Sequence, residues 1–270
     1  MKPAPFAYER PATVGEAIRI LAEVPGAKVL AGGQTLGPML NLRLAQPEMI
    51  VDIGRIPELA EVSEDTGTVT IGATVTHAAI EDRRVSDPAG GFLRHVAAGI
   101  AYRAVRTRGT IGGSLAHADP AADWLSVLTA LGAEVAIAGP HGSSRALTLA
   151  EFARGAMQTD LAPDEIVVAV RVPKFSRSAR FGYHKICRKT GEFAEAIGVA
   201  VDDPDRGIRR LVAGATEGRP IILSIEDDFN GLTVDTLEGR LAAAGFAGDA
   251  YALKLHAVAL KRACQEAWAS

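Results

Sequence analysis

Helical and extended patterns of apolar residues alternate along the first third of the chain. Thr13 and Glu16 form a candidate capping box, after which the apolar residues share one helical face: Val14, Ala17, Ile18, Leu21 and Ala22. Pro25-Gly26 ends that predicted helix. Short apolar runs then predict strands at residues 28–30, 49–53 and 68–73. Thr76 can cap a short helix that follows them.

The middle of the chain predicts further helices and a hairpin. Helical spacing covers two segments, residues 91–102 and 120–131. Between them, residues 106–115 are too rich in glycine for regular structure. Strands are predicted at residues 133–138, 143–147 and 165–172. Gly139-Pro140-His141-Gly142 favours a hairpin turn between the first two, and Pro173 ends the last.

Beyond Pro173 the predicted strands come before the helices. Residues 174–178 are polar and indicate a crossing to a second domain. Strand-like segments follow at residues 180–188, 196–202, 208–215 and 220–224, and helical patterns at residues 233–244 and 250–268. Strands followed by helices predict a small sheet that is covered on one face, an α+β arrangement.

Composition and charge exclude several classes of protein. The 270 residues are 48% hydrophobic and 23% charged, as in ordinary globular proteins, and the net charge of −3 argues against binding of nucleic acid. No apolar run reaches the ~18–20 residues of a membrane span. The N-terminal residues lack the apolar stretch of a secretory signal, so a cytoplasmic protein is expected. Cys187 and Cys264 are too few for a structural zinc site or an iron–sulfur cluster, so any redox cofactor of this chain is expected to be organic.

Two glycine pairs have the same local sequence design. Gly32-Gly33 and Gly112-Gly113, 80 positions apart, each follow an apolar stretch and precede a small hydroxyl residue, Thr35 or Ser114. Glycine permits a close approach of backbone N–H groups to an anion, so two such segments could hold a pyrophosphate; each could also be a simple tight turn. The sequence contains neither G-x-x-x-x-G-K-[ST] nor G-x-G-x-x-G, which disfavours P-loop and Rossmann folds.

The residues around both pairs resemble a known family. Residues 31–36, Pro38, residues 42–44, Pro47 and residues 51–53 resemble the first FAD-binding segment of molybdenum hydroxylase flavoproteins. Residues 108–114, Asp119-Pro120 and Asp123 resemble the second. Over roughly residues 1–200 the chain is similar to the FAD-binding medium subunit of carbon monoxide dehydrogenase and the FAD subunit of xanthine dehydrogenase.

This resemblance implies an α+β protein of two domains. A vanillyl-alcohol-oxidase or PCMH-type FAD-binding domain would cover residues 1–173, as two α/β subdomains that meet near residues 55–60. A smaller C-terminal α+β domain, a small antiparallel sheet plus helices, would cover residues 174–270.

The resemblance also implies the residues that bind FAD. They are Ala31, Gly32, Gly33, Gln34, Thr35 and Leu36 in the first segment, Thr110, Ile111, Gly112, Gly113 and Ser114 in the second, and Asp123, Lys189 and Phe193 beyond. The backbones of the two segments would cradle the pyrophosphate. Gln34 stands where close relatives often have His, with little loss expected because the backbone makes the contact.

Three of these residues have alternative interpretations. Asp123 matches a position near the ribityl and phosphate part of FAD, or is a charge that favours a helix N-terminus. Lys189 would place a cation near the isoalloxazine, where reduced flavin gains negative charge, or is an exposed lysine at a strand end. Phe193 would pack on the flavin ring without donating a hydrogen bond.

Other polar residues are expected to have no chemical role. His117 could line the cofactor pocket, although a solvated loop histidine is favoured. Arg103, Arg106 and Arg108 could face phosphate, a partner subunit or water, with the last two favoured. Neither the spacing of a histidine metal site nor G-x-S-x-G occurs, so neither a metal site nor a catalytic side chain is expected on this chain.

The implied function is electron transfer through FAD. In the related assemblies a large subunit oxidises the substrate at molybdopterin, and a small subunit with two [2Fe–2S] clusters passes electrons to the FAD subunit. The expected assembly is a dimer of such heterotrimers, and the acceptor could be NAD⁺, a quinone or oxygen. Two alternatives are a stand-alone flavin oxidase, disfavoured because few aromatic residues follow Pro173, and a nucleotide-binding module without redox chemistry.

Overall fold

The protein is described from a computed structural model, which covers residues 2–225 and 229–269. Its N-terminal part contains strands β1 (Ala7–Glu9), β2 (Lys28–Leu30) and β3 (Met49–Asp52), with helices α1 (Val14–Glu23) and α2 (Leu36–Asn41) between them. The strands form a parallel sheet in which β3 pairs with both of the others.

Helix α1 begins with half of the predicted capping box. The Thr13 hydroxyl accepts a hydrogen bond from Glu16 N–H, as predicted. The Glu16 carboxylate, however, accepts from Ala12 N–H rather than from Thr13 N–H. The helix ends at Glu23, just before Pro25-Gly26, and its apolar face packs on the parallel sheet.

A five-stranded antiparallel sheet follows. Its strands are β4 (Val62–Glu64), β5 (Thr68–Gly72), β6 (Glu134–Ala138), β7 (Ser144–Thr148) and, after the short β8 (Ala153–Gly155) and β9 (Gln158–Thr159), β10 (Ile166–Pro173). Strand β10 lies in the centre, in the order β4-β5-β10-β6-β7. Residues 139–142 form the predicted turn between β6 and β7, and Pro173 ends β10, so both predictions are confirmed.

Six short helices accompany this sheet. They are α3 (His77–Glu81), α4 (Phe92–Ala98), α5 (Arg103–Arg106), α6 (Ile111–His117), α7 (Asp123–Leu131) and α8 (Leu149–Phe152). Thr76 caps α3 by accepting from Ala79 N–H, as predicted. The predicted helix at residues 91–102 is shorter than expected, because the chain leaves helical geometry after Ala98 and reaches a φ of +42° at Ala101.

Helix α6 corrects the prediction that residues 106–115 are irregular. Thr110 caps this helix by accepting a hydrogen bond from Gly113 N–H. Gly112 faces the end of β5, where a Cβ atom would lie 2.5 Å from the Cβ of Ala73. The glycine therefore permits close packing of a helix on the sheet, and does not break the helix.

The C-terminal part forms a second antiparallel sheet. Its strands are β11 (Arg180–Ile186), β12 (Ala196–Asp203), β13 (Ile208–Gly214) and β14 (Ile221–Ser224), paired in chain order. Helices α9 (Val234–Ala243) and α10 (Ala250–Ala269) follow. These strands and helices agree with the sequence prediction to within two residues.

This second sheet is covered on both faces, whereas one covered face was predicted. Helix α10 packs so closely on one face that a Cβ atom at Gly182 or Gly198 would overlap helix backbone. Helix α7 covers the other face, and a Cβ at Gly214 would overlap the Ser126 side chain. All eight residues of β12 are buried. The prediction failed because the second cover comes from a helix far away along the chain.

The largest hydrophobic core joins the two antiparallel sheets. Side chains from β5, β10, α7 and β12 belong to one buried cluster, which includes Val170, Leu128 and Val199. A second cluster lies beneath α9 and α10, and a third beneath α1. Among the helices that the structure describes, none has both the length and the apolar character needed to span a membrane.

Candidate functional site

A cavity of about 460 Å³ lies where the two glycine segments meet. The first segment, residues 31–36, connects β2 to α2, and the second, residues 110–114, begins α6. All six residues of the first segment line the cavity, as do Thr110, Gly112, Gly113 and Ser114. Ile111 is fully buried in the core instead. Ten of the eleven predicted residues in these segments therefore share one cavity wall.

The first segment turns sharply and leaves backbone donors free. Gly33 has a φ of +72°, and its carbonyl accepts a hydrogen bond from Gly37 N–H at 2.9 Å. Within the described residues, the N–H groups of Gly33, Gln34 and Thr35 donate to no protein acceptor. Successive free N–H groups on such a turn form a concave site for an anion.

The second segment differs, because its backbone donors are already used. The N–H groups of residues 111–114 donate to the Val75 carbonyl, the Ala73 carbonyl, the Thr110 hydroxyl and the Thr110 carbonyl, respectively. The two segments therefore do not share the anion-binding geometry that their similar sequences suggest. Ser114 lines the cavity, and its side chain is a hydroxyl that can donate a hydrogen bond.

Asp123 begins helix α7 and lines the cavity. Its Oδ1 accepts a hydrogen bond from Lys185 Nζ at 2.8 Å and another from the Tyr183 hydroxyl. Burial and the nearby Asp123 carboxylate raise the pKa of Tyr183 well above its ordinary value, so its hydroxyl stays protonated. The carboxylate is thus held in place by two groups of strand β11.

A buried histidine lies on the same wall. His77 lines the cavity with only 6% of its surface exposed, and its Nδ1 accepts a hydrogen bond from Trp124 Nε1 at 3.0 Å. Burial, with a smaller contribution from the Arg106 charge, lowers the pKa of His77 to about 4. Because indole nitrogen only donates, the neutral imidazole carries its proton on Nε2.

Part of the cavity lining is apolar. Ile100, Ala101 and Val105 line the cavity together with Phe193, which is 70% exposed. Lys189 is exposed and lies outside the cavity wall, whereas His117 is half-buried on it. The expectation that His117 is a solvated loop residue is therefore wrong.

Two of the three clustered arginines bind carboxylates at the C-terminal end of α3, and neither phosphate, a partner nor water alone. Arg106 is buried, and its guanidinium binds both carboxylate oxygens of Glu81 and donates to the carbonyls of Ile100 and Ala101. Arg103 bridges Glu81 and Asp82. These contacts fix the loop that carries the apolar wall.

Four residues of the site were missed by sequence reasoning: His77, Trp124, Tyr183 and Lys185. A signal existed for two of them. Tyr183 and Lys185 are two positions apart in a predicted strand, so their side chains share one face. His77 and Trp124 carry no such signal, because they are 47 positions apart and meet only through packing.

The cavity fits a dinucleotide such as FAD. Free N–H groups at residues 33–35 and the Ser114 hydroxyl suit the oxygen atoms of a diphosphate. The apolar wall and Phe193 suit the flat face of an aromatic ring system.

Comparisons with known proteins agree with this fit. A family model described as the FAD binding domain in molybdopterin dehydrogenase matches residues 4–175. The carbon monoxide dehydrogenase medium chain of Hydrogenophaga pseudoflava is 40% identical over 201 residues, which are 73% of this chain and 68% of that protein. The caffeine dehydrogenase subunit beta of Pseudomonas sp. (strain CBB1) is 36% identical over 210 residues, 77% of this chain and 71% of that one.

Solved structures give the same result for the whole fold. A chain in the structure of carbon monoxide dehydrogenase from Hydrogenophaga pseudoflava has a TM-score of 0.88 and 33% identity, and the match covers 100% of this chain and 99% of that one. A chain of quinoline 2-oxidoreductase from Pseudomonas putida 86 has a TM-score of 0.86 and 32% identity, with coverages of 99% and 98%. The expected PCMH-type fold is confirmed. The chain therefore belongs to the FAD-binding domain family of molybdopterin dehydrogenases, as a medium subunit of the molybdenum hydroxylase type.

Proposed function

We propose that this chain is the electron-transfer flavoprotein subunit of a heteromeric molybdenum-dependent hydroxylase or dehydrogenase. Electrons reach FAD from [2Fe–2S] clusters of a small partner subunit and leave to an external acceptor, while a large molybdopterin subunit oxidises the substrate. The observation that carries the proposal is that both glycine segments line one cavity, where the first segment has free backbone N–H donors. Relatives named as subunits or medium chains of dehydrogenases support it.

The residues of this chain act by binding and orienting the cofactor. The N–H groups of residues 33–35 and the Ser114 hydroxyl bind the diphosphate. Asp123 and Phe193 both line the cavity, where Asp123 would hold the ribityl part of FAD and Phe193 would pack against its ring. FAD, when bound, supplies a carrier that accepts two electrons, and the protein sets its position and electrostatic surroundings. Residues 1–173 make the FAD-binding domain and residues 174–270 the C-terminal domain.

The proposed assembly is a dimer of heterotrimers. Each heterotrimer contains this chain, the large molybdopterin subunit and the small iron–sulfur subunit. Co-expression with both partner chains, followed by measurement of the mass of the complex in solution, tests the stoichiometry. A mass that corresponds to this chain alone would contradict it.

The first experiment identifies the cofactor. The purified chain is supplied with FAD, and its visible spectrum and the released cofactor are measured. We expect close to one FAD per chain. Gly33→Val is expected to reduce this occupancy strongly, because a β-branched residue resists the φ of +72° and its Cβ would lie 3.1 Å from Leu30 Cδ1.

Gly26→Val is the matched control. Gly26 has a φ of +82°, faces open space and lies at the end of α1, so the substitution causes similar strain away from the cavity. Its FAD occupancy should equal that of the wild type. A nucleotide without flavin would instead support the non-redox module.

The second experiment tests electron transfer. The FAD-loaded chain is mixed with the reduced iron–sulfur partner, and flavin bleaching is followed by stopped-flow absorbance. We expect bleaching that depends on partner concentration. Substrate turnover by this chain without partners would support a stand-alone oxidase.

A further inference from the structure

Three groups from two distant parts of the chain meet beside the cavity, and Asp123 is the one that lines it. Asp123 comes from the start of α7, whereas Tyr183 and Lys185 come from one face of β11. Lys185 Nζ donates to Asp123 Oδ1 at 2.8 Å and to the Gly99 carbonyl at 3.0 Å. The ammonium group thus connects the carboxylate to the loop that carries the apolar wall.

The ion pair is buried. The side chains of Lys185 and Asp123 are only 10% and 11% exposed, and Tyr183 is 8% exposed. Water screens such charges poorly, so the loss of one partner leaves a nearly unscreened charge beside the cavity. With both partners present, the net charge of the pair is zero.

The hydrogen bonds on Asp123 are unequal. Both Lys185 and Tyr183 donate to Oδ1, while Oδ2 receives no donor within residues 2–225 and 229–269. Asp123 lines the cavity, whereas Lys185 does not. The carboxylate is therefore oriented from one side and can accept a hydrogen bond from a ligand on the other.

We propose that Lys185 and Tyr183 are positioning residues that hold the Asp123 carboxylate at the cavity wall and balance its charge, and so set the reduction potential of the bound flavin. This inference rests on the proposed function, because it requires FAD in this cavity. The cation that matters for the flavin is then Lys185, on β11, rather than the exposed Lys189.

The physical reason is the charge that flavin acquires on reduction. A negative charge near the ring opposes the arriving electrons, and a positive charge favours them. Lys185→Met leaves an uncompensated carboxylate, so the midpoint potential falls. Asp123→Asn leaves an uncompensated ammonium group, so the midpoint potential rises. Tyr183→Phe changes no charge and gives a smaller shift than either.

The test measures the midpoint potential of bound FAD by equilibrium titration against redox dyes in the assembled complex. We expect shifts of opposite sign for Lys185→Met and Asp123→Asn. The double variant Lys185→Met/Asp123→Asn carries no charge at the pair and should return towards the wild-type potential. Lys185→Arg should also retain it, because the cation is kept.

Three results would overturn the proposal. They are shifts of the same sign for the two single variants, an unchanged potential in both Lys185→Met and Asp123→Asn while these variants bind FAD, or a shift with Lys189→Met and none with Lys185→Met. If a single variant fails to fold, the neutral double variant and Lys185→Arg still test the role of charge. A wild-type chain that binds no FAD would instead refute the proposed function, so the two failures are distinguishable.

Discussion

Gly32 lies directly against the main-chain carbonyl of Arg108, where a Cβ atom would overlap the Arg108 oxygen. This contact joins the first glycine segment to the residues just before the second. Gly32 therefore acts by permitting two backbones to touch, while the neighbouring Gly33 supplies the left-handed turn. The two adjacent glycines have different physical roles.

Gly32→Ala should separate the two segments. The overlap forces backbone to move, which typically costs about 1–3 kcal/mol and here also distorts the cavity. We expect a lower melting temperature and weaker FAD binding, measured by thermal unfolding and fluorescence titration. Gly37→Ala is the control, since that position in α2 faces open space. Equal FAD affinity of Gly32→Ala and Gly37→Ala would contradict this close contact.

Gly198→Ala should weaken the contact between β12 and α10. A Cβ at Gly198 would overlap the Ala259 carbonyl, so the helix must move away from the sheet. We expect a loss of roughly 1–3 kcal/mol in the free energy of unfolding, measured with urea. Gly239→Ala in α9 faces open space and should leave stability equal or higher. An unchanged free energy of unfolding for Gly198→Ala would contradict this prediction, because it would mean that α10 moves away from β12 without loss of stability.

His77 should make stability depend on pH between about 6.5 and 4. Its folded pKa of about 4 lies below the ordinary value of 6.5, so in this range the unfolded chain binds a proton that the folded chain does not. The free energy of unfolding is therefore unaffected by protonation of this group above pH 6.5. As the pH falls, it decreases, by roughly 2–3 kcal/mol at pH 4.5.

The measurement is urea unfolding at pH 7.5 and pH 4.5. His77→Gln should lose less stability between the two pH values than the wild type does. His141→Gln, at an exposed turn position, should match the wild type at both. If wild type and His77→Gln show the same pH dependence, groups other than His77 cause it.

Arg106→Met should be strongly destabilising. The substitution leaves the Glu81 carboxylate without its bidentate partner and frees the carbonyls of Ile100 and Ala101. Glu81 keeps Arg103 as a partner, so the expected loss is that of charged hydrogen bonds to part-buried acceptors, roughly 1–3 kcal/mol. Arg19→Met breaks an exposed pair with Glu23 and should change stability little, because water screens that pair. Chemical denaturation compares the two, and equal losses would show that burial of Arg106 adds nothing.

The sequence by itself determined the local elements and pointed to the cavity. Thr13 and Thr76 cap the helices predicted for them, residues 139–142 form the predicted hairpin turn, and Gly33 supplies the turn of the first glycine segment. These features depend on hydrogen bonds and dihedral preferences of residues close together in the chain, and such preferences are visible in the sequence.

Only the tertiary structure determined which backbone donors of the two glycine segments are free to bind a ligand. The donors of residues 111–114 bond to Ala73, Val75 and the Thr110 cap, so a sequence similar to the first segment offers the cavity different chemistry. Lys185 reaches Asp123 across 62 positions because α7 packs on the second antiparallel sheet. Such pairings depend on the packing of distant elements, and local preferences carry no information about which distant groups will meet.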